Sequence, residues 1–146
     1  MYTIEELYSG QAAAVFVLKE SENETLFLES LKKKYPQAYK RLLSMIKNTC
    51  EHGLIRDETK YKPLSRNIHE FKPEGIRILS FKLPNENREV EIILTEYFKK
   101  PAGKKQYKPY IERAEKIAAE VIREYNEGTL IIRKGIKHES KRLVLK

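Results

Sequence analysis

Hydrophobic and polar positions divide this chain into short periodic segments. Thr3-Ile4-Glu5-Glu6 fits a capping box, in which a hydroxyl and a carboxylate trade hydrogen bonds with the backbone at a helix start, so a short first turn closed by Gly10 is expected. Gln11 to Leu18 is an apolar run of strand length that includes three alanines. Ser21-Glu22-Asn23-Glu24 is a second capping box and predicts a helix carrying Phe27, Leu28 and Leu31. Pro36, with its fixed φ, suits the first position of another helix. There Tyr39, Leu42, Leu43, Ile46 and Cys50 recur on one face, and Gly53 is placed to end it. The two helices read as a packed hairpin with Cys50 as an inert core thiol.

Residues 54–66 are polar and read as a loop. Three strands are predicted next, at 67–72, 76–83 and 89–97, with turns at Pro73-Glu74-Gly75 and Pro84-Asn85-Glu86-Asn87. Turns this short imply an antiparallel meander. Its middle strand is apolar on both faces, with Ile76 and Ile78 on one and Leu79, Phe81 and Leu83 on the other, as a strand covered from both sides must be. Lys99 to Lys108 reads as a lysine-rich loop broken by Pro101 and Gly103. Pro109 then opens a helix whose stripe is Ile111, Ala114, Ile117, Ala118, Val121, Ile122 and Tyr125, with Gly128 as its C-cap. Residues 129–132 can add one more strand, and Arg133 to Lys146 form a basic tail. With no internal repeat and no long linker, the expectation is one α+β domain with a core of about residues 11–128 and a basic extension at 129–146.

Composition narrows the partners. The 146 residues carry a net charge of +8, which favours an anionic partner, whether nucleic acid, acidic protein or membrane surface. Cys50 is the lone cysteine, which excludes an intramolecular disulfide. With no signal-peptide pattern, a reducing, cytoplasmic setting is expected. The longest apolar run is far too short to span a bilayer. Asp57 is the sole aspartate, so the clustered acids of a two-metal nuclease are missing and neither a metal nor another cofactor is expected. Within residues 61–100 the cations Lys62, Arg66, Lys72, Arg77, Lys99 and Lys100 fall near strand ends, interleaved with Tyr61, His69, Phe71, Tyr97 and Phe98. Basic and aromatic side chains on a small sheet suit a polyanion with stackable bases, that is, RNA.

The order of these signals resembles the RelE/HigB-type toxin superfamily, and its phage-derived HigB-like branch most. Lys62-Pro63-Leu64 is similar to the basic-x-Leu segment before the family's meander, and Ile68-His69-Glu70-Phe71-Lys72 to its strand with a central Glu and a terminal cation. Gly75-Ile76-Arg77-Ile78 looks like the Gly-aliphatic-Arg motif of the central strand. Tyr97-Phe98-Lys99-Lys100 is similar to the Phe-x-Lys-Lys ending of the last strand, and Pro109-Tyr110-Ile111-Glu112-Arg113-Ala114 to the start of the C-terminal helix. The resemblance implies a RelE-like fold: an N-terminal strand, a helical hairpin, a three-stranded antiparallel meander completing one sheet, and a C-terminal helix. It also implies the toxin of a type II toxin–antitoxin pair, an mRNA interferase cutting messenger RNA on the ribosome by 2′-hydroxyl attack on the adjacent phosphate. Its partner would be a separately encoded helix-turn-helix antitoxin. The chain departs from the pattern at His69, where an aromatic such as Trp is common, and at Lys72, where Arg is common. The loop before Pro109 is long, and the segment after Gly128 is extra. These departures suit the alternative, a catalytically silent module of the same fold that binds RNA or an acidic protein.

Metal-free cleavage needs a base for the 2′-proton, cations for the phosphorane charge and an acid for the leaving oxygen. Arg77 is the first candidate, because a guanidinium fork matches two phosphate oxygens and in the family this Arg contacts the scissile phosphate; the plain reading pairs it with Glu74 or Glu96. Lys72 and Lys100 are candidate phosphate cations, or one of them a base; each reads equally as a solvated strand-end lysine. Tyr110 can stack on a base or pass a proton, or be a half-buried aromatic. His69 is a candidate base by its ordinary titration near neutrality, against a hydrogen-bonded structural role. Glu70 can balance the site or orient His69 or Arg77. Lys62, Arg66, Lys99, Lys104, Lys105 and Lys108 are candidate RNA contacts that add affinity without sequence preference, or a solvated rim. His52 and His138 have no ligand set around them in the sequence.

Overall fold

The computed structural model describes residues 1–21, 26–53, 60–84 and 90–135. The capping box at 21–24, the turn at 84–87, Asp57 and His138 fall wholly or partly outside them. The fold is α+β. A mixed sheet of seven strands carries helices on both faces, in the order β1 (Thr3–Ser9), β2 (Ala13–Lys19), α1 (Phe27–Lys34), α2 (Pro36–His52), β3 (Tyr61–Pro63), β4 (His69–Phe71), β5 (Ile76–Leu83), β6 (Val90–Lys99), α3 (Lys104–Glu127) and β7 (Ile131–Arg133). The sheet order is β3-β4-β5-β6-β2-β1-β7. β3 to β6 pair antiparallel in sequence, β2 lies parallel to β6, β1 turns back antiparallel on β2, and β7 adds parallel to β1.

The meander forms, but the sheet is larger than expected. Thr3–Glu6 does not cap a helix. It belongs to β1, where Ile4 is fully buried and pairing with β2 satisfies the backbone that a lone turn would leave to water. A register shift between Glu6 and Tyr8 brings Leu7 and Tyr8 to the same side, and the Tyr8 hydroxyl donates to Glu51 of α2. Residues 61–63 of the expected loop form the edge strand β3, and the strand anticipated at 129–132 appears as β7. Gly10 lets the β1–β2 turn touch the end of α2: an added Cβ would lie 2.5 Å from the Cys50 carbonyl oxygen, which already accepts from Ala12 N at 2.7 Å.

Alternation along the strands feeds two cores. Val15, Val17, Ile76, Ile78, Ile92 and Leu94 face α1 and α2, around Leu31, Leu42, Ile46 and Cys50. Phe16, Leu79, Phe81, Ile93 and Phe98 face α3, around Ala114, Ala118 and Val121. A second register shift, where Leu79 pairs with Glu96 and Ser80 with Leu94, leaves Thr95 as an extra residue in β6. Beyond it Glu96 and Phe98 point toward α3, on the face that carries Arg77.

α3 begins at Lys104, five residues before Pro109, which therefore sits inside it. Residues 104–108 are its first turns and not a loop. A proline there lacks the N–H that would bond back to the Lys105 carbonyl, so one bond of the helical ladder is missing in the second turn. Arg113 anchors the helix by donating to both oxygens of Glu96, at 3.1 and 2.8 Å. Gly128, at φ +78°, closes it. No helix among the described residues is long and apolar enough to cross a membrane.

Candidate functional site

On the α3 face, where the sheet meets the first turns of that helix, lies a concavity of about 420 Å³. Lys62, Glu70, Lys72, Arg77, Lys100, Lys104 and Tyr107 supply its polar lining, and Pro63, Leu64 and Ile111 its apolar walls. Sheet register explains the gathering. Lys62 of β3 pairs directly with Glu70 of β4, and Lys72 follows two residues later on the same face. Arg77 opens β5 opposite Phe98. Lys100 leaves β6 with its N–H donating to the Gly75 carbonyl at 2.9 Å, which ties both strand ends to one turn.

Arg77 is 5% exposed, and its guanidinium is held from two sides. Nη1 donates to the carbonyls of Glu74 (3.0 Å) and Ile76 (2.9 Å), and Nε donates to the Tyr107 hydroxyl (3.2 Å). Neither expected carboxylate pairs with it, because Glu74 takes Arg41 and Glu96 takes Arg113. Glu70 is 2% exposed, and its Oε2 is buried with no hydrogen-bond partner. Burial pushes its pKa up, against the opposing pull of Arg77, Lys72, the Tyr107 hydroxyl and Lys62. Tyr107 links the two charges, and burial followed by the Glu70 charge raises its own pKa. A carboxylate that resists ionisation among lysines and a fixed arginine can accept a proton beside a bound anion.

The structure thus brings Lys72, Arg77 and Lys100 together with Lys62 and Lys104. It places the other candidates elsewhere. His69 alternates with Glu70 and points to the opposite face, stacked on Tyr61 at 5.1 Å, where burial lowers its pKa. Tyr110 stacks on Phe98 at 3.8 Å, lies under the Arg113 guanidinium, and lines a neighbouring hollow with Lys99. Arg66, Lys105 and Lys108 are exposed outside the concavity, with Lys108 near Glu112 at 3.9 Å. His52 is exposed at the end of α2. Among the described residues no group of three or more His, Cys, Asp or Glu could hold a metal ion.

Sequence reasoning missed Tyr107 because it took residues 99–108 for a loop. The signal was present: Tyr107, Ile111, Ala114 and Ala118 continue the α3 stripe one turn backward. No protein-family model matches the chain, and no curated protein matches it.

Proposed function

We propose that this protein is a metal-independent endoribonuclease of RelE-like fold, the toxin of a toxin–antitoxin pair acting on messenger RNA at the ribosome. The observation that carries the reading is Glu70, a buried carboxylate with an unpartnered oxygen, in a concavity lined by five cations of which Arg77, Lys72 and Lys62 act on it. Glu70 takes the proton of the ribose 2′-hydroxyl as the 2′-oxygen bonds to phosphorus. Arg77, fixed by two carbonyls and Tyr107, stabilises charge on the phosphorane oxygens together with Lys72 and Lys100. The bond from phosphorus to the 5′-oxygen then breaks, and a lysine ammonium at the rim gives that oxygen its proton. The products are a 2′,3′-cyclic phosphate and a 5′-hydroxyl. The same reading supplies an antitoxin whose acidic segment neutralises the basic rim.

The test is cleavage of ribosome-bound message and of free RNA by wild type and Arg77→Ala. Loss of one preorganised donor of this kind costs about 3–4 kcal/mol, so a fall of about 100-fold or more is expected, with partial recovery in Arg77→Lys. Products with 5′-phosphate ends, or an unimpaired Arg77→Ala, would sink the mechanism. Salt-sensitive RNA binding without any cleavage would assign the fold to a silent binding module.

A further inference from the structure

Across the Pro73–Gly75 turn from the concavity lies a second hollow, of about 490 Å³, lined by Arg41, Ser44, Met45, Asn48, Lys60, Lys72 and Glu74. Lys72 lines both hollows, so they adjoin. Glu74 joins them in another way. It holds a left-handed backbone at φ +56°, rare for a residue with a side chain. Its carbonyl accepts from Arg77 at 3.0 Å, while its carboxylate pairs with Arg41 at 3.1 Å. A left-handed residue with a side chain costs free energy, and such residues cluster at functional sites.

We propose that this second hollow binds a nucleotide beyond the pair joined by the scissile phosphate, so that a single RNA strand crosses the turn from one hollow into the other. The proposal rests on the RNA reading above. Arg41 and Lys60 supply cations for a flanking phosphate. Ser44 and Asn48 are exposed on the same side of α2 as Arg41, and they offer a hydroxyl and an amide to a base edge. Met45 adds an apolar surface beside them. The Glu74 carboxylate on Arg41 occupies the place of the incoming phosphate and is displaced by it. A strand held at two points leaves little slack in the ribose–phosphate unit between them, which aligns the 2′-hydroxyl over Glu70.

The experiment measures affinity and its salt dependence for 2′-O-methylated oligonucleotides, which lack the attacking hydroxyl, at lengths of two and six residues. Lys60→Gln is expected to weaken hexamer binding by about threefold to tenfold and to lower the slope of log affinity against log salt by about 0.7, leaving the dimer unchanged. Asn48→Asp should weaken the hexamer selectively as well. Glu74→Gln frees Arg41 and should tighten the hexamer by about twofold to fivefold. Arg77→Ala should weaken both lengths. If Lys60→Gln and Asn48→Asp leave the hexamer unchanged while Arg77→Ala weakens both lengths, the second hollow is overturned and the RNA reading stands. If Arg77→Ala also leaves both lengths unchanged, both fall. Loss of oligoglutamate binding in Lys60→Gln with hexamer binding intact would assign the hollow to an acidic protein segment and overturn the proposal.

Discussion

Replacing Glu70 by Gln sets stability against activity. The carboxylate is 2% exposed and its Oε2 has no hydrogen-bond partner. Leaving such a group unsatisfied costs about 1–3 kcal/mol, and more when it is charged. Arg77, Lys72 and Lys62 return part of that cost, but the pKa is raised above the ordinary value of 4.5, so burial outweighs them. A carboxyl whose folded pKa exceeds its unfolded one binds protons more tightly in the folded state. Its stabilising contribution is full below the unfolded value and is lost as pH rises through the folded value. Gln mimics the protonated form. Glu70→Gln should therefore match wild type in stability near pH 4 and exceed it at pH 7. Urea unfolding curves across that pH range measure the difference. Cleavage by the same variant should fall by about 10²–10⁴-fold, the usual worth of a general base. A Glu70→Gln protein that is less stable at pH 7, or whose difference from wild type does not change with pH, would show that Glu70 serves as an ionised structural partner of Arg77.

Tyr107→Phe removes the hydroxyl between Arg77 and Glu70 and should cost about 1.5–3 kcal/mol of stability. Because that hydroxyl lowers the Glu70 pKa, its loss should move the acidic limb of the cleavage–pH profile upward, as read from initial rates. Gly10→Ala places a methyl against the Cys50 carbonyl and should lower unfolding free energy by about 1–3 kcal/mol. Gly75→Ala meets nothing within 4 Å and should stay within about 0.5 kcal/mol by the same urea curves.

Periodicity made α2, most of α3 and the order of the meander legible. The failures share one cause, that local signals yielded to pairing elsewhere. Thr3–Glu6 carries a capping pattern, but a strand on β2 buries Ile4 and a lone turn does not. Pro109 looked like a helix start because proline is favoured there, yet the stripe could be followed back to Tyr107. Arg77, Lys72 and Lys100 were legible as cations near strand ends. That Glu70 shares their face and His69 does not depends on hairpin register, which turn residues alone do not determine. The extra residue at Thr95, which brings Phe98 beside Arg77, left no mark in the hydrophobic pattern.

The strand pairings also dictate an order of completion. β2 waits for β6, β1 waits for β7, and Lys104 and Tyr107 reach the concavity only when α3 docks on the sheet. Such distant pairings form slowly and late. During synthesis Lys62, Glu70, Lys72 and Arg77 therefore leave the ribosome before their lid of α3 residues exists, with Arg77 lacking its Tyr107 partner and Glu70 still open to water. If the protein cuts messages, a copy whose α3 has not yet docked lacks part of the wall of the concavity and is not yet competent to cut.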